Sequence, residues 1–461
     1  MANNDTAPPY FNIDPDKAFE DLGMPNDTAR FAQIAEACMK GRTDLASRGM
    51  AEGGGKKLRL FSTWEITKYL IPVASAHFRR VLRQNPTLPQ GQSETEGGAK
   101  WFSFEEVLRL RAHFAAEGSK AKEYLPYRPA GVPAKVVAVA NFKGGVGKTS
   151  TCAHLAMSAA LDGYRVLMID LDSQGSMTSI FGGTVADEWQ TVFPLLARHY
   201  AERLQADNQR RADMGEAPIP LDDTLSEALK VRTGDIIQTT HWPNIDLIGA
   251  QLNLYWSEFQ IPVWRMQSKG WKLWDALTEV LEADGVLDNY DLVFLDTPPA
   301  LGYLTINGLS AADILLVPFG ASFLEFDSTG RFFDMLYSTF ASIEQGENTA
   351  ARALGQPEMG FEWDAVCALI TRYDASQQAE MAGLIQAYLG KVVSPYRQDF
   401  TALIGQAGES VHGIYEADYR DFNRDTYARG RATFDETYAA FKKLLIGIWR
   451  RDELAAQKAA K

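Results

Sequence analysis

The chain changes its pattern of apolar and polar positions near residue 135. Beyond that point, short, largely apolar runs at 136–140, 165–169 (opened by Arg165), 246–249 (opened by Asp246), 292–295, 314–318 and 365–370 alternate with longer amphipathic stretches. Strands that are apolar at every position bury both faces, and helical stretches between them supply the cover. The pattern predicts an α/β fold with a mostly parallel sheet covered by helices on both faces. A charged stretch at 188–240 breaks the alternation and reads as a helix-rich insertion.

The first 134 residues are organised differently. Residues 1–55 are polar, with one stretch where Phe31, Ile34, Ala35 and Cys38 recur at helical spacing, a candidate dimerisation helix that Gly53-Gly54-Gly55 closes off. Residues 56–83 then carry seven Lys or Arg against one acid, Glu65. Ser62-x-x-Glu65 has capping-box form, Ile66 and Leu70 share a helix face, and Ile71-Pro72-Val73 makes a turn before a second helix through Arg83. This predicts a helix-turn-helix unit over 56–123. Its second helix would lie in a major groove, with Lys56, Lys57, Ser75, His77, Arg79, Arg80 and Arg83 facing DNA. A basic, solvated helical hairpin accounts for the same local pattern. The glycine-rich loop 91–98 is a candidate wing, and Ser103-x-x-Glu106 opens another helix. Pro126, Pro129, Gly131 and Pro133 make 124–134 a stiff linker to a second domain, 135–461.

Charge and composition narrow the function. A formal net charge of -13 over 461 residues excludes a protein that coats nucleic acid with its whole surface, so any DNA contact must be a local patch. Cys38, Cys152 and Cys367 lie far apart, which suggests neither a disulfide framework nor a zinc site. The first ten residues lack the basic and apolar regions of a secretory signal, and no apolar run reaches membrane-spanning length. The expected setting is cytoplasmic, without a membrane.

The sharpest chemical signal is a strand, 135–141, followed by Phe142-Lys-Gly-Gly-Val-Gly-Lys-Thr149 and then a helix. Gly144, Gly145 and Gly147 let backbone N–H groups curl around phosphate oxygens, with Val146 and Ser150 completing the loop and the helix dipole adding to the attraction. Lys148 is placed to neutralise β and γ phosphates, and Thr149 has the hydroxyl that ligates Mg2+ in this chemistry. Phe142 stands where the usual pattern has its first glycine, and a second lysine, Lys143, is added. Asp170 and Asp172 close one strand and Asp296 another, at the carboxyl ends where open parallel sheets hold ligands.

Lys143-Gly-Gly-Val-Gly-Lys-Thr149, Asp170-Leu-Asp172-Ser-Gln174-Gly and Asp296-Thr-Pro-Pro together resemble the ParA family of deviant Walker A ATPases. That resemblance implies ATP and Mg2+ as ligands and a homodimer with ATP sandwiched between subunits. Lys143 would then reach the partner's phosphates, Asp172 would orient the attacking water, Asp170 would lie near the metal sphere and Asp296 would be the Walker B aspartate. Ser173 departs from the proline usual in the family, a change to loop stiffness more than to chemistry. The resemblance extends through 314–319, 371–374 and 411–431. It implies adenine contacts near Pro318 and in the stretch 371–374, Thr371 among them, and a sequence-independent DNA surface with Arg397, Arg429 and Arg431 as candidates. The N-terminal unit resembles that of the larger, plasmid-borne members, which use it for operator binding and autorepression.

The implied function is a DNA-partition ATPase, nucleoid-associated and stimulated by a ParB-type centromere-binding partner. Two alternatives stand beside it. One is a membrane-surface switch similar to MinD, prompted by Phe441, Leu444, Leu445 and Ile448 on one face of a basic C-terminal helix; packing on the sheet gives the same pattern. The other is a transcription repressor for which nucleotide is only an allosteric ligand.

Overall fold

The computed structural model describes residues 56–401 and 413–459 apart from 94, 96–97, 118–123 and 269, together with 31, 34–38 and 40 near the N-terminus. Two compact units result, Met1–Gly55 and Lys56–Lys461. In the first, residues 31, 34–38 and 40 are helical and exposed; the rest of 1–55 lies outside the described residues.

The second unit opens with a two-stranded ribbon, β1 (Phe61–Ser62) antiparallel to β2 (Trp101–Phe102). The capping box forms as the spacing predicts: Ser62 Oγ accepts from Glu65 N, and Glu65 returns a carboxylate oxygen to Ser62 N at 3.0 Å. The helix it starts is short and passes into a π-helical turn, Ile66–Leu70, before the turn and the helix Ser75–Gln84. Phe78, Val81 and Leu82 of that helix face the core, while His77, Arg79, Arg80 and Arg83 are exposed. A third helix, Phe104–Glu117, buries Val107, Leu110 and Phe114 against the same core.

The main sheet has seven strands in the order β5-β6-β4-β7-β3-β8-β9. These are β3 (Lys135–Val139), β4 (Val166–Asp170), β5 (Gln238–Thr239), β6 (Ile245–Ile248), β7 (Leu292–Asp296), β8 (Ile314–Gly320) and β9 (Ala365–Thr371). Every pairing is parallel except β5 with β6 at one edge. The side-chain period of two divides each central strand between two cores. Val137, Val139, Leu292 and Phe294 enter one, and Val136, Ala138, Val293 and Leu295 enter the other.

The first core is closed by the helices Lys148–Leu161 and Arg424–Ala459 and by the ribbon and helices of 61–115. The second is closed by Phe193–Asp213, Ser257–Gln267, Tyr303–Ser310 and the first half of Phe323–Leu354. The N-terminal helices therefore share a continuous core with one face of the sheet. The stretch 124–134 is tied down between them. Tyr124 and Val132 are buried in that core, and Arg128 donates to Val132 O, Leu287 O and Asp291 Oδ1.

The C-terminal amphipathic helix spends its apolar face inside the protein. Phe441, Leu445, Ile448 and Trp449 are buried, with Phe441 against Phe294 at a ring separation of 5.9 Å. Burying each such side chain stabilises the fold by roughly 1.5–3 kcal/mol. That face is not presented for lipid, and no described helix is long and apolar enough to cross a membrane.

At the end of β3 remote from the glycine loop, Lys135 Nζ lies 2.8 Å from both Asp364 and Asp452 and 3.4 Å from Asp313. Burial works against its charge, and the carboxylates more than compensate, raising its pKa above the ordinary lysine value.

Candidate nucleotide site and nucleic-acid face

β3 lies between β7 and β8, and the chain leaves it through Asn141, which is buried. Asn141 Nδ2 donates to Pro318 O at 2.8 Å, and its Oδ1 accepts from Lys143 N at 3.1 Å. The loop is thus pinned to β8 at its start. Gly145 and Gly147 take φ of 73° and 85°, left-handed values open to glycine at little cost. A methyl group placed on Gly144 or Gly145 would meet nothing within 4 Å, so their outer side is open. Gly147 caps the buried helix Lys148–Leu161, whose N-terminal dipole favours an anion in that space.

Around this cradle the predicted residues converge. Lys148 is buried, and its Nζ points back along the loop, 3.4 Å from Lys143 O. Desolvation lowers its pKa against the opposing pull of Asp296 and Asp172, as expected for a cation held where phosphate charge would complete its environment. Thr149 Oγ1 donates to Asp296 Oδ2 at 2.7 Å. Asp296 Oδ1 is buried with no partner. Burial, then Asp170 beside it, push the Asp296 carboxyl well above its usual range. A buried acid with one oxygen on a threonine hydroxyl and the other unsatisfied fits a hydrated divalent cation, so Thr149 and Asp296 suit the Mg2+ role.

Asp170 is built for something else. It pairs in register with Asp296 across β4 and β7, but its Oδ2 accepts from Thr178 N at 2.9 Å and Thr178 Oγ1 at 2.8 Å, and its Oδ1 accepts from Asp172 N. Three donors engage both oxygens of this carboxylate in shaping the loop 172–178, so Asp170 has a loop-ordering task that Asp296 lacks. Asp172 itself is half-buried, with Oδ1 accepting from Gln174 N. Lys143 Nζ lies 3.2 Å from Glu325 Oε1.

On the β8–β9 side, Thr371 Oγ1 donates to Val146 O at 2.7 Å, which places it against the loop. Two residues here carry more than the sequence assigns them: Arg372 falls inside the expected stretch 371–374 but has no role of its own there, and His154 is not among the expected residues. Arg372 has φ of 51°, the one described non-glycine residue in the left-handed region, and its Nη1 donates to Gly145 O at 2.8 Å. His154, a turn beyond Ser150, is buried with Nδ1 2.6 Å from Ser150 O and Nε2 3.0 Å from Ile414 N. A backbone N–H and a backbone carbonyl on its two nitrogens assign the neutral Nδ1–H tautomer. Nothing in local sequence marks either residue.

The candidate DNA residues divide. Lys57, His77, Arg79, Arg80 and Arg83 are exposed, and His77 Nδ1 lies 3.0 Å from Arg80 Nη2. Ser75 Oγ is 3.0 Å from Thr67 Oγ1, and Lys56 Nζ donates to Ile180 O, so these two have internal partners. Arg397 is half-buried over the ring of Tyr373, and Arg429 is exposed. Arg431 does not reach the surface at all. It is 3% exposed, 4.0 Å from the ring centroid of Tyr69, near Tyr415, and paired with Asp435 at 3.0 Å. It holds the C-terminal helix to the π-helical turn that carries Tyr69, which removes it from any phosphate-facing surface.

A parallel sheet with a glycine loop opening onto a buried helix, a lysine-threonine pair at that helix start and an acid on the neighbouring strand defines a P-loop nucleoside triphosphatase. Comparison with known proteins narrows the class. The family described as AAA domain matches residues 134–349. The chain is 33% identical over 403 residues to a replication protein A of Sinorhizobium fredii, covering 86% of this chain and 88% of the relative. It is 31% identical over 216 residues to the sporulation initiation inhibitor protein Soj of Bacillus subtilis, covering 47% and 68%. A solved partition protein has the same fold, with a TM-score of 0.54 at 18% identity over 84% of this chain and 95% of that one. The chain belongs to the ParA family of partition ATPases.

Proposed function

We propose that this chain is an ATP- and Mg2+-dependent partition switch for plasmid or chromosomal DNA. The observation that carries the reading is Asp296, buried with one oxygen on Thr149 and the other free, beside a desolvated Lys148. Lys148 binds the β and γ phosphates, the glycine-loop amides cradle them, and Thr149 and Asp296 hold the Mg2+, which supplies charge neutralisation across those phosphates. Asp172, half-buried at the mouth of the site, orients the attacking water. Lys143 serves the nucleotide of a second copy, which couples ATP occupancy to homodimer formation and stabilises charge in phosphoryl transfer. Pro318 and Thr371, each hydrogen-bonded to the loop or its start, are the candidate contacts for the base.

In this reading the ATP dimer binds DNA without sequence preference, with Arg397 and Arg429 as candidate contacts. A ParB-type centromere-binding protein stimulates hydrolysis and releases it. The cationic outer face of Ser75–Gln84, with Lys57, binds an operator and represses the protein's own expression. The protein works in the cytoplasm on the nucleoid, without a membrane partner. The buried apolar face of the last helix favours this over a membrane-surface switch.

The test is ATP turnover by the full chain with DNA and the centromere-binding protein. Asp172→Ala is expected to cut turnover by about 10²- to 10⁴-fold while nucleotide binding persists. Equal rates for wild type and variant would overturn the hydrolytic assignment and leave a nucleotide-regulated repressor.

A further inference from the structure

We propose that Glu325 is a latch that holds Lys143 within its own subunit and must release it before an ATP dimer can close. The inference rests on the reading of Lys143 as a cation for the partner's phosphates. One ammonium cannot stay paired with Glu325 and also neutralise a phosphate in another chain, so the two states compete for the same side chain.

The geometry is built rather than incidental. Lys143 is part-exposed, 39% by side chain, whereas the Glu325 side chain is 14% exposed, so the acid is the fixed member of the pair. Glu325 lies in the first turn of the helix Phe323–Leu354. Ser322 Oγ accepts from Glu325 N at 3.3 Å, and Thr329 Oγ1 donates to Glu325 O at 2.7 Å. In a capping box the glutamate at this position would return its carboxylate to the backbone of the N-cap residue. Here Ser322 supplies its half of the motif, and the carboxylate goes to Lys143 instead.

The space for that carboxylate is made by Gly320 at the end of β8. A Cβ at Gly320 would lie 1.8 Å from Glu325 Oε2, so any larger residue would displace the acid. The loop end is positioned from the same strand, because Asn141 bridges Pro318 O and Lys143 N. Phe142, which replaces the usual first glycine of the loop, packs edge-on against Phe332 of the Glu325 helix with ring centroids 4.7 Å apart. Lysine, loop and latch are thus seated on one contiguous framework, and what can move is the lysine side chain.

A partly exposed ion pair of this kind biases an equilibrium by about 2- to 5-fold. Dimer closure breaks two of them, so the expected effect on the dimerisation constant is the square, about 4- to 25-fold. The experiment is sedimentation of the full chain with Mg2+ and a non-hydrolysable ATP analogue, for wild type, Glu325→Gln, Lys143→Gln and the double variant, alongside ATP turnover. Glu325→Gln is expected to tighten the dimer by that factor and to raise basal turnover. In the Lys143→Gln background it is expected to change neither, because there is nothing left to release.

Two outcomes overturn the latch: an unchanged or weaker dimer in Glu325→Gln, or an equal tightening in both backgrounds, which would make Glu325 a general repeller of phosphate. If Lys143→Gln itself leaves dimerisation and turnover untouched, the trans-acting lysine has failed and the latch with it. If Lys143→Gln impairs them and Glu325→Gln does nothing, the latch alone has failed.

Discussion

Asp170 and Asp296 stand side by side in register at the ends of β4 and β7, yet their carboxylates are committed to different work. Both oxygens of Asp170 are engaged by Thr178 and the Asp172 backbone, while Asp296 shares one oxygen with Thr149 and leaves the other unsatisfied. Asp296→Asn is therefore expected to lower Mg2+-dependent ATP affinity by about 10- to 100-fold and to leave the fold intact, since it removes a costly buried acid. Titration of a fluorescent ATP analogue with Mg2+ and with EDTA, together with a melting curve, checks both halves. Asp170→Asn is expected to do the reverse, destabilising the loop 172–178 more than it weakens the metal.

Arg372 holds a left-handed backbone to bring its guanidinium onto Gly145 O. Such a conformation costs a non-glycine residue on the order of 1–3 kcal/mol. Arg372→Gly relieves that strain and loses the contact, so it is expected to unfold in urea no earlier than wild type while binding nucleotide several-fold more weakly. Arg372→Ala keeps the strain and loses the contact, so it should be the less stable of the two. If Arg372→Gly proves the less stable, the strain account is wrong.

The exposed arginines of Ser75–Gln84 make a prediction that a solvated hairpin would not share. If Arg79, Arg80 and Arg83 contact phosphates, each replacement by alanine should flatten the slope of log affinity against log salt by about 1. The measurement is operator binding at several salt concentrations. Unchanged slopes would leave that face without a nucleic-acid role.

His154 gives the protein an acid limit. Burial is the main cause of a pKa lowered from 6.5 to about 4, with Ser150 O and Glu416 pulling the other way. The unfolded chain therefore takes up a proton near pH 6.5 that the folded chain refuses until about pH 4. The neutral ring's contribution is complete above 6.5 and is lost as pH falls through that window, at roughly 1.4 kcal/mol per pH unit. Protonation would also remove the acceptor that Ile414 N uses. Urea unfolding from pH 7 to pH 4.5 should show this slope in wild type and a shallower one in His154→Gln.

Much of this arrangement was legible from residue order. Six largely apolar runs became six parallel strands within a residue or two of their expected bounds, because a strand covered on both faces keeps its polar positions almost entirely to its ends. The glycine loop was equally plain, since its conformation requires its composition. What sequence could not give was partnership at a distance. Arg431 reads as one more arginine in a basic helix until Tyr69 and Tyr415 arrive from far along the chain. Arg372 takes a conformation that nothing in its type announces. Nothing in the order of residues around Glu325 announces its partner, and only the position of Lys143 reveals where its carboxylate goes. The two-residue strand β5 was too short to carry a period at all.

Lys135 ties the foot of β3 to carboxylates from three separate parts of the chain, one of them Asp452 near the close of the last helix. Shortening the protein is therefore asymmetric in its cost. Removal of residues 454–461 should be silent, whereas stopping before Asp452 would leave a buried ammonium short of counter-charge directly beneath the strand that launches the phosphate loop. Fusions and affinity handles belong after that anchor, never in place of it.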